Sequence, residues 1–177
     1  MKIVFITGGS RSGKSSYALK LSGQHDGRRA FIATAEPLDE EMRLRIDAHK
    51  RQRSDAWETV EEPIRLSETI AGLTSSHEVI LVDCLTLWLS NILTREPFPE
   101  VEAVTIEIDD FISNLKWLKG VPDTNLYLVS NEVGMSIVPD NKLARAFRDA
   151  AGLLNQQVAA VADEVYLIVS GLPLKLK

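Results

Sequence analysis

An apolar run that passes directly into a glycine-rich loop and then into a helix leaves a chain few choices of fold, and residues 2–23 read that way. "KIVFIT" has the β-branched, apolar character of a buried strand, "GGSRSG" follows it, and "KSSYALKLSG" is helix-compatible. The spacing Gly8, four residues, Gly13, Lys14, Ser15 is that of a P-loop. Glycines are needed there because backbone N–H groups must converge on phosphate oxygens without side-chain obstruction. Lys14 would reach the terminal phosphates, and the Ser15 hydroxyl would ligate Mg²⁺. The anion would sit at a helix N-terminus, where unpaired N–H groups and the helix dipole favour negative charge. The alternative is a plain glycine turn, which needs neither the lysine nor the hydroxyl.

Apolar, β-branched runs recur at 28–34, 78–84, 125–130 and 164–170, separated by segments of helical periodicity. Near-continuous apolar strands alternating with helices predict an α/β fold, P-loop NTPase-like, with a mostly parallel sheet covered by helices on both faces. "PLKLK" (173–177) follows "SG" closely enough to turn back as a C-terminal antiparallel edge strand. With 177 residues, 45% of them hydrophobic, the chain can bury one good core, so a single domain over 1–177 is expected. A net charge of −5 argues against nucleic acid as a partner. One cysteine, Cys84, excludes an internal disulfide framework, and the N-terminus shows no signal-peptide pattern, which points to the cytoplasm. No apolar stretch approaches the roughly 20 residues of a membrane-spanning helix.

In open α/β sheets ligands bind outside the carboxyl ends of the strands. Those ends read "TGGS", "ATAEP", "DCLT", "SNEVG" and "SGLP". Asp83 closes the third run, where P-loop proteins place an acidic residue to hold Mg²⁺; Asp83 and Ser15 would then be the metal ligands. Its other reading is a cap for the helix that follows. Cys84 reads as a small buried hydrophobe. The segment 36–55 opens acidic and closes with Lys50, Arg51 and Arg53, predicting a helix of about 15 residues with Met42, Ile46 and His49 on one face. His49 is either a packed histidine or a nucleophile kept neutral by the neighbouring cations. His25 and His77 fall in polar, turn-like segments and are expected to be exposed. Asn131 and Glu132 either face substrate or simply end a strand, ahead of a helix expected after Pro139 with Asp140 in its first turn.

The combination of "TGGSRSGKSS", "FIATAEPLDEEMRLRIDAHKRQR", "ILVDCLTLWLSN" and the stretch from "VSNEVGMSIVPDN" to the C-terminus resembles the bifunctional adenosylcobinamide kinase and adenosylcobinamide-phosphate guanylyltransferase family, over residues 1–177. Ser136 departs from that family's pattern, which carries glycine after the methionine. The resemblance implies an enzyme of cobalamin biosynthesis. It would phosphorylate adenosylcobinamide with ATP or GTP, then transfer GMP from GTP to that phosphate through a GMP–histidine intermediate, releasing pyrophosphate. His49 matches the histidine, and Lys14 serves the phosphates. Nucleotide contacts carry over to Gly8, Gly9, Ser10, Arg11, Ser12, Gly13, Lys14 and Ser15, to Ala33, Thr34 and Ala35, to Lys50, Arg51, Gln52 and Arg53, and to Glu61 and Asp83. The resemblance also implies a homotrimer. Ala144 in "NKLA" lacks the carboxylate of a guanine-reading Asn-Lys-x-Asp, which disfavours a signalling GTPase. Two competitors stand beside this reading: a P-loop small-molecule kinase with a structural His49, and a nucleotide-binding interaction module that turns over no metabolite.

Overall fold

Seven strands form one sheet in the computed structural model, which describes residues 1–37, 39–51, 56–95 and 101–177; the side chains of Arg45, Asp47, Ala48, His49, Arg51 and Val101 lie outside that description. In chain order the elements are β1 (Lys2–Gly8), α1 (Lys14–Ser22), β2 (Arg29–Ala33), α2 (Glu40–Arg51), β3 (Trp57–Glu61), α3 (Leu66–Leu73) and β4 (Val79–Asp83). They continue with α4 (Leu85–Thr94), α5 (Val101–Leu118), β5 (Asn125–Asn131), α6 (Lys142–Val161), β6 (Glu164–Val169) and β7 (Leu172–Lys175). The strand order is β3-β2-β4-β5-β1-β6-β7. All pairs are parallel except β6 with β7.

The near-continuous apolar character of the central strands follows from burial on both faces. Ile3 and Phe5 of β1 share one face with Leu126 and Leu128 of β5, against Ile70, Leu89, Ile108 and Leu154 of the helices α3 to α6. Val4 and Ile6 share the other with Tyr127 and Val129, against Ala18 of α1. Trp88 and Phe111 bridge α4 and α5, their rings 4.9 Å apart. Parallel pairing brings the carboxyl ends of β1, β2, β4, β5 and β6 to one edge, as expected.

Several local expectations change. The strand β3 was not anticipated: "WETVE" is half exposed, and its strand character comes from pairing with Arg29–Ala33 rather than from an apolar pattern. The basic helix is described over 12 residues, Glu40–Arg51, and the expected continuation through 52–55 lies outside the described residues. Asn141, not Asp140, opens α6; its Oδ1 accepts from the Ala144 N–H at 2.7 Å, so Asp140 precedes the helix. His77 is 4% exposed rather than exposed, with its ring nitrogens against Ser76 Oγ at 2.9 Å and Glu58 Oε2 at 3.1 Å. His25 is half-buried, its ring 6.1 Å from that of Tyr127. Strand β7 starts at Leu172, one residue early, because Ser170 and Gly171 take positive φ and close a two-residue hairpin.

Glu164, at the opposite end of β6 from that hairpin, ties neighbouring strands together. Its carboxylate lies 2.6 Å from Lys2 Nζ on β1 and 3.5 Å from Lys175 Nζ on β7, and accepts from Tyr166 Oη at 2.7 Å. The Lys2 bond, then the Tyr166 hydroxyl, hold its carboxyl far below the ordinary 4.5, at about 2. A carboxylate so depressed contributes stability that is full above the unfolded value and is lost as pH falls through the folded one. Both lysines are half-exposed, so screening leaves about 1–2 kcal/mol. Glu164→Gln should lower the urea-unfolding free energy by that amount at pH 7, and the gap from the unmutated protein should close between pH 4.5 and about 2.

Candidate active site

The loop between β1 and α1 is held in place chiefly by backbone. Ser12 N–H donates to the Gly9 carbonyl at 3.2 Å, and Gly171 N–H, from the β6–β7 hairpin, donates to the Ser12 carbonyl at 2.8 Å. Gly13 precedes α1 with φ 95°, in the left-handed region, and a Cβ there would lie 3.2 Å from Gly171 Cα. At Gly8 a Cβ would lie 2.6 Å from the Ile168 carbonyl oxygen and 2.7 Å from Ser12 Oγ, so glycine is required by close approach. Lys14 opens α1, and its Nζ folds back onto the Gly9 carbonyl at 3.2 Å.

Lys14 is not exposed on a loop; it is 8% accessible. Burial pushes its pKa below the ordinary 10.5, against the opposing pull of Cys84 and Asp83. A cavity of about 530 Å³ opens above it, lined by Ser10, Arg11, Gly13, Lys14, Ser15 and Ser16 from the loop and α1, and by Asp83, Cys84 and Asn131 from the ends of β4 and β5. Phe31, Ala33, Ala35, Met42, Ile46 and Leu87 complete it with an apolar wall. Cationic and backbone donors on one side and an apolar wall on the other suit a nucleoside phosphate.

Asp83 is not a helix cap: Cys84 holds the N-cap position of α4, without a side-chain cap bond. The Asp83–Cys84 peptide is cis. Burial raises the Cys84 thiol to about 11, so it is a protonated, buried group rather than a nucleophile. The donor set fits phosphates with Mg²⁺. Ser12 Oγ is buried without a partner, Gly8 and Gly13 let the loop pack closely against the β6–β7 hairpin, and Ser15 and Asp83 bring hard oxygen ligands to the same cavity. Among the described residues no cluster of three or more His, Cys, Asp or Glu could hold a metal by itself, so phosphate oxygens would have to complete the shell.

The other expected contacts are distributed unevenly. Gly8, Gly9 and Ser12 form the loop beneath the cavity, and Thr34 is fully buried behind it. Lys50 and Glu61 pair with each other at 2.6 Å and do not line the cavity. Gln52 and Arg53 lie outside the described residues, as do the side chains of His49 and Arg51. Helix α2 does extend through position 49, and Met42 and Ile46, seven and three residues before it, line the cavity. Asn131 lines it too, its Nδ2 donating to Thr86 Oγ1 at 2.9 Å, whereas Glu132 is engaged with the Gly134 N–H at 2.7 Å. Ser136 Oγ donates to the Val133 carbonyl at 3.4 Å in the same loop. Sequence reasoning missed Phe31 and Leu87, which carry no signal beyond apolar patterning.

A mostly parallel sheet with a glycine cradle, a lysine, a serine and an aspartate at its carboxyl edge defines a P-loop-like α/β protein. The chain belongs to the cobinamide kinase / cobinamide phosphate guanyltransferase family, whose sequence profile matches residues 4–176. It is similar to the bifunctional adenosylcobalamin biosynthesis protein CobU of Escherichia coli (strain K12), 40% identical over 185 positions and 99% of each chain. The protein of the same name from Salmonella typhimurium is 42% identical over 99% of each chain. The bifunctional adenosylcobalamin biosynthesis protein CobP of Pseudomonas aeruginosa is 38% identical, over 97% of this chain and 95% of its own.

Gly8→Ala tests the cradle. Because the Cβ would meet a backbone oxygen at 2.6 Å, relief requires the loop to move. The variant should lose about 1–3 kcal/mol in thermal or urea unfolding. Its affinity for a fluorescent nucleotide triphosphate analogue should fall at least about tenfold, as measured by titration.

Proposed function

We propose that this chain phosphorylates the aminopropanol hydroxyl of adenosylcobinamide with ATP or GTP, then transfers GMP from GTP to the new phosphate, within a single domain. One observation carries the reading: helix α2, which bears position 49, lends Met42 and Ile46 to the same cavity that holds Lys14, Ser15 and Asp83. On this reading the glycine loop supplies the phosphate cradle and the helix bearing His49 the nucleophile, and both border the one cavity. Membership of the family and the near-complete alignment with the three relatives support it.

In the first reaction the substrate hydroxyl attacks the γ-phosphorus, the bond to the nucleoside diphosphate breaks, and the hydroxyl proton is released. Lys14 and the loop N–H groups hold the phosphates and stabilise the charge that develops on their oxygens. Mg²⁺, held by Ser15 and Asp83, would neutralise the β- and γ-phosphate charge when bound. In the second reaction neutral His49 attacks the α-phosphorus of GTP and pyrophosphate leaves. An oxygen of adenosylcobinamide phosphate then attacks the phosphoramidate, the P–N bond breaks, and adenosylcobinamide-GDP forms. Two displacements let one nucleotide site serve an acceptor too large to enter beside GTP. A homotrimer completes the proposal; the exposed Met135, Ile137 and Leu172 are the kind of apolar surface an assembly covers, and sedimentation equilibrium measures it directly.

Intact-protein mass spectrometry after incubation with GTP and Mg²⁺ should show one added GMP moiety, on His49. His49→Ala should lose the label and guanylyl transfer while still phosphorylating cobinamide. Labelling should fall as acid protonates the imidazole, since only the neutral ring is a nucleophile, and the adduct should be labile in acid and stable in base. Label elsewhere, or an unlabelled variant still making adenosylcobinamide-GDP, refutes the His49 assignment, whereas cobinamide phosphorylation with neither label nor adenosylcobinamide-GDP leaves a kinase with a structural histidine.

Lys14→Ala should abolish both reactions in rate assays, since one cradle serves both. In the unmutated protein nucleotide affinity should decline at a pH below 10.5, because burial has lowered the lysine's pKa and the deprotonated amine no longer holds phosphate. Titration across the alkaline range measures that limb.

A further inference from the structure

Thr34 belongs by resemblance with the nucleotide contacts, yet it is 0% exposed and its polar groups are committed elsewhere. Its hydroxyl donates to the Cys84 carbonyl at 2.7 Å and accepts the Cys84 N–H at 2.8 Å. Its own N–H points to the Asp83 carbonyl at 3.4 Å, and its carbonyl accepts from Asn91 Nδ2 at 2.7 Å. A hydroxyl has a single hydrogen to donate, and phosphate oxygens offer only acceptors. With that hydrogen given to Cys84, the side chain has nothing to offer a phosphate.

We propose that Thr34 is a positioning residue for Asp83. The register of β2 with β4 ends at Ala33 opposite Asp83, and α4 starts at Leu85 without a side-chain cap. Asp83 therefore stands on the last rung of the ladder, where β2 no longer supplies strand pairing to the residue that follows. Thr34 takes over there: it bonds both polar groups of the Asp83–Cys84 peptide and the Cys84 carbonyl beyond. Asn91, on α4, locks Thr34 in turn and spans to the Pro63 carbonyl at 3.1 Å. The clamp fixes the backbone from which the Asp83 carboxylate enters the phosphate cavity. A metal ligand must be held to within about 0.5 Å, and residues that orient ligands are worth about 10–100-fold in metal affinity.

This inference rests on the proposed role of Asp83 as a ligand for a divalent cation, and the experiment separates the two. Mn²⁺ is the probe, titrated by EPR into the full-length protein saturated with a non-hydrolysable GTP analogue; affinity for the analogue alone is measured in EDTA. Asp83→Asn comes first. If it leaves Mn²⁺ affinity unchanged, the metal role of Asp83 fails, and the positioning role with it. If it weakens Mn²⁺ binding, Thr34→Val should weaken it by about tenfold as well, leave nucleotide affinity in EDTA unchanged, and be rescued by Thr34→Ser. Unchanged Mn²⁺ affinity in Thr34→Val overturns the positioning role alone. An equal loss of nucleotide affinity in EDTA overturns it in favour of nucleotide contact. Leu115→Ala, in the core of α5, controls for stability; a matching loss of Mn²⁺ affinity there reduces Thr34 to a structural residue. Should Thr34→Val not fold, Asn91→Ala removes the amide that holds Thr34, and unchanged Mn²⁺ affinity in that variant overturns the clamp.

Discussion

The placement of β5 between β1 and β4 governs the rest of the site. Neighbouring strands lie about 4.8 Å apart, so the phosphate loop after β1 and Asp83 at the end of β4 stand roughly 10 Å from each other. That separation leaves room for a phosphate chain between lysine and carboxylate, and it makes the end of β5 the floor of the cavity. The floor is polar. Asn131 donates its backbone N–H and its Nδ2 to Thr86 Oγ1, and its carbonyl accepts from Asn155 Nδ2 on α6. One rung below, Thr7 and Ser130 are register partners whose hydroxyls are buried without a partner, as is Asn155 Oδ1. A hydrophobic layer at this depth would pack as well and leave nothing to orient.

Lys14 shows what the fold tolerates to keep that cavity ready. A buried ammonium opposes folding, and its lowered pKa reports the desolvation directly. Asp83 and Cys84 offset only part of it. The Gly9 carbonyl supplies one acceptor, which leaves most of the ammonium's hydrogen-bonding capacity for incoming phosphate oxygens. On the proposed reading a phosphate anion would complete the hydrogen bonding of Lys14, as where charge stabilisation is built before a reaction begins.

Much of this was legible from residue order. The glycine spacing, the apolar runs and the polar strand ends located the cradle, the parallel sheet and its active edge, because each is written in consecutive residues. What was not legible depends on partners distant in the chain. The strand β3 exists because β2 offers it a ladder, and "WETVE" alone has no strand pattern. The burial of Lys14 and His77 comes from elements that close over them, although both sit in polar sequence. Thr34 was expected as a contact from the resemblance, together with Ala33 and Ala35, which do line the cavity; its side chain instead turns toward Cys84. Phe31 and Leu87 carry ordinary apolar patterning, so only the assembled cavity distinguishes them from the core.

The β6–β7 hairpin is the least conspicuous part of the site. Its backbone N–H at Gly171 holds the Ser12 carbonyl, and the Ile168 carbonyl lies where a side chain at Gly8 would have to go. The loop after β1 and the β6–β7 hairpin therefore form one mechanical unit. In genetic terms, defects at Ile168 or Gly171 should share a phenotype with those at Gly8 and Gly13, although the codons lie far apart in the coding sequence. A second-site revertant of a damaged phosphate loop would be sought first in this hairpin, before the residues that flank the loop in sequence.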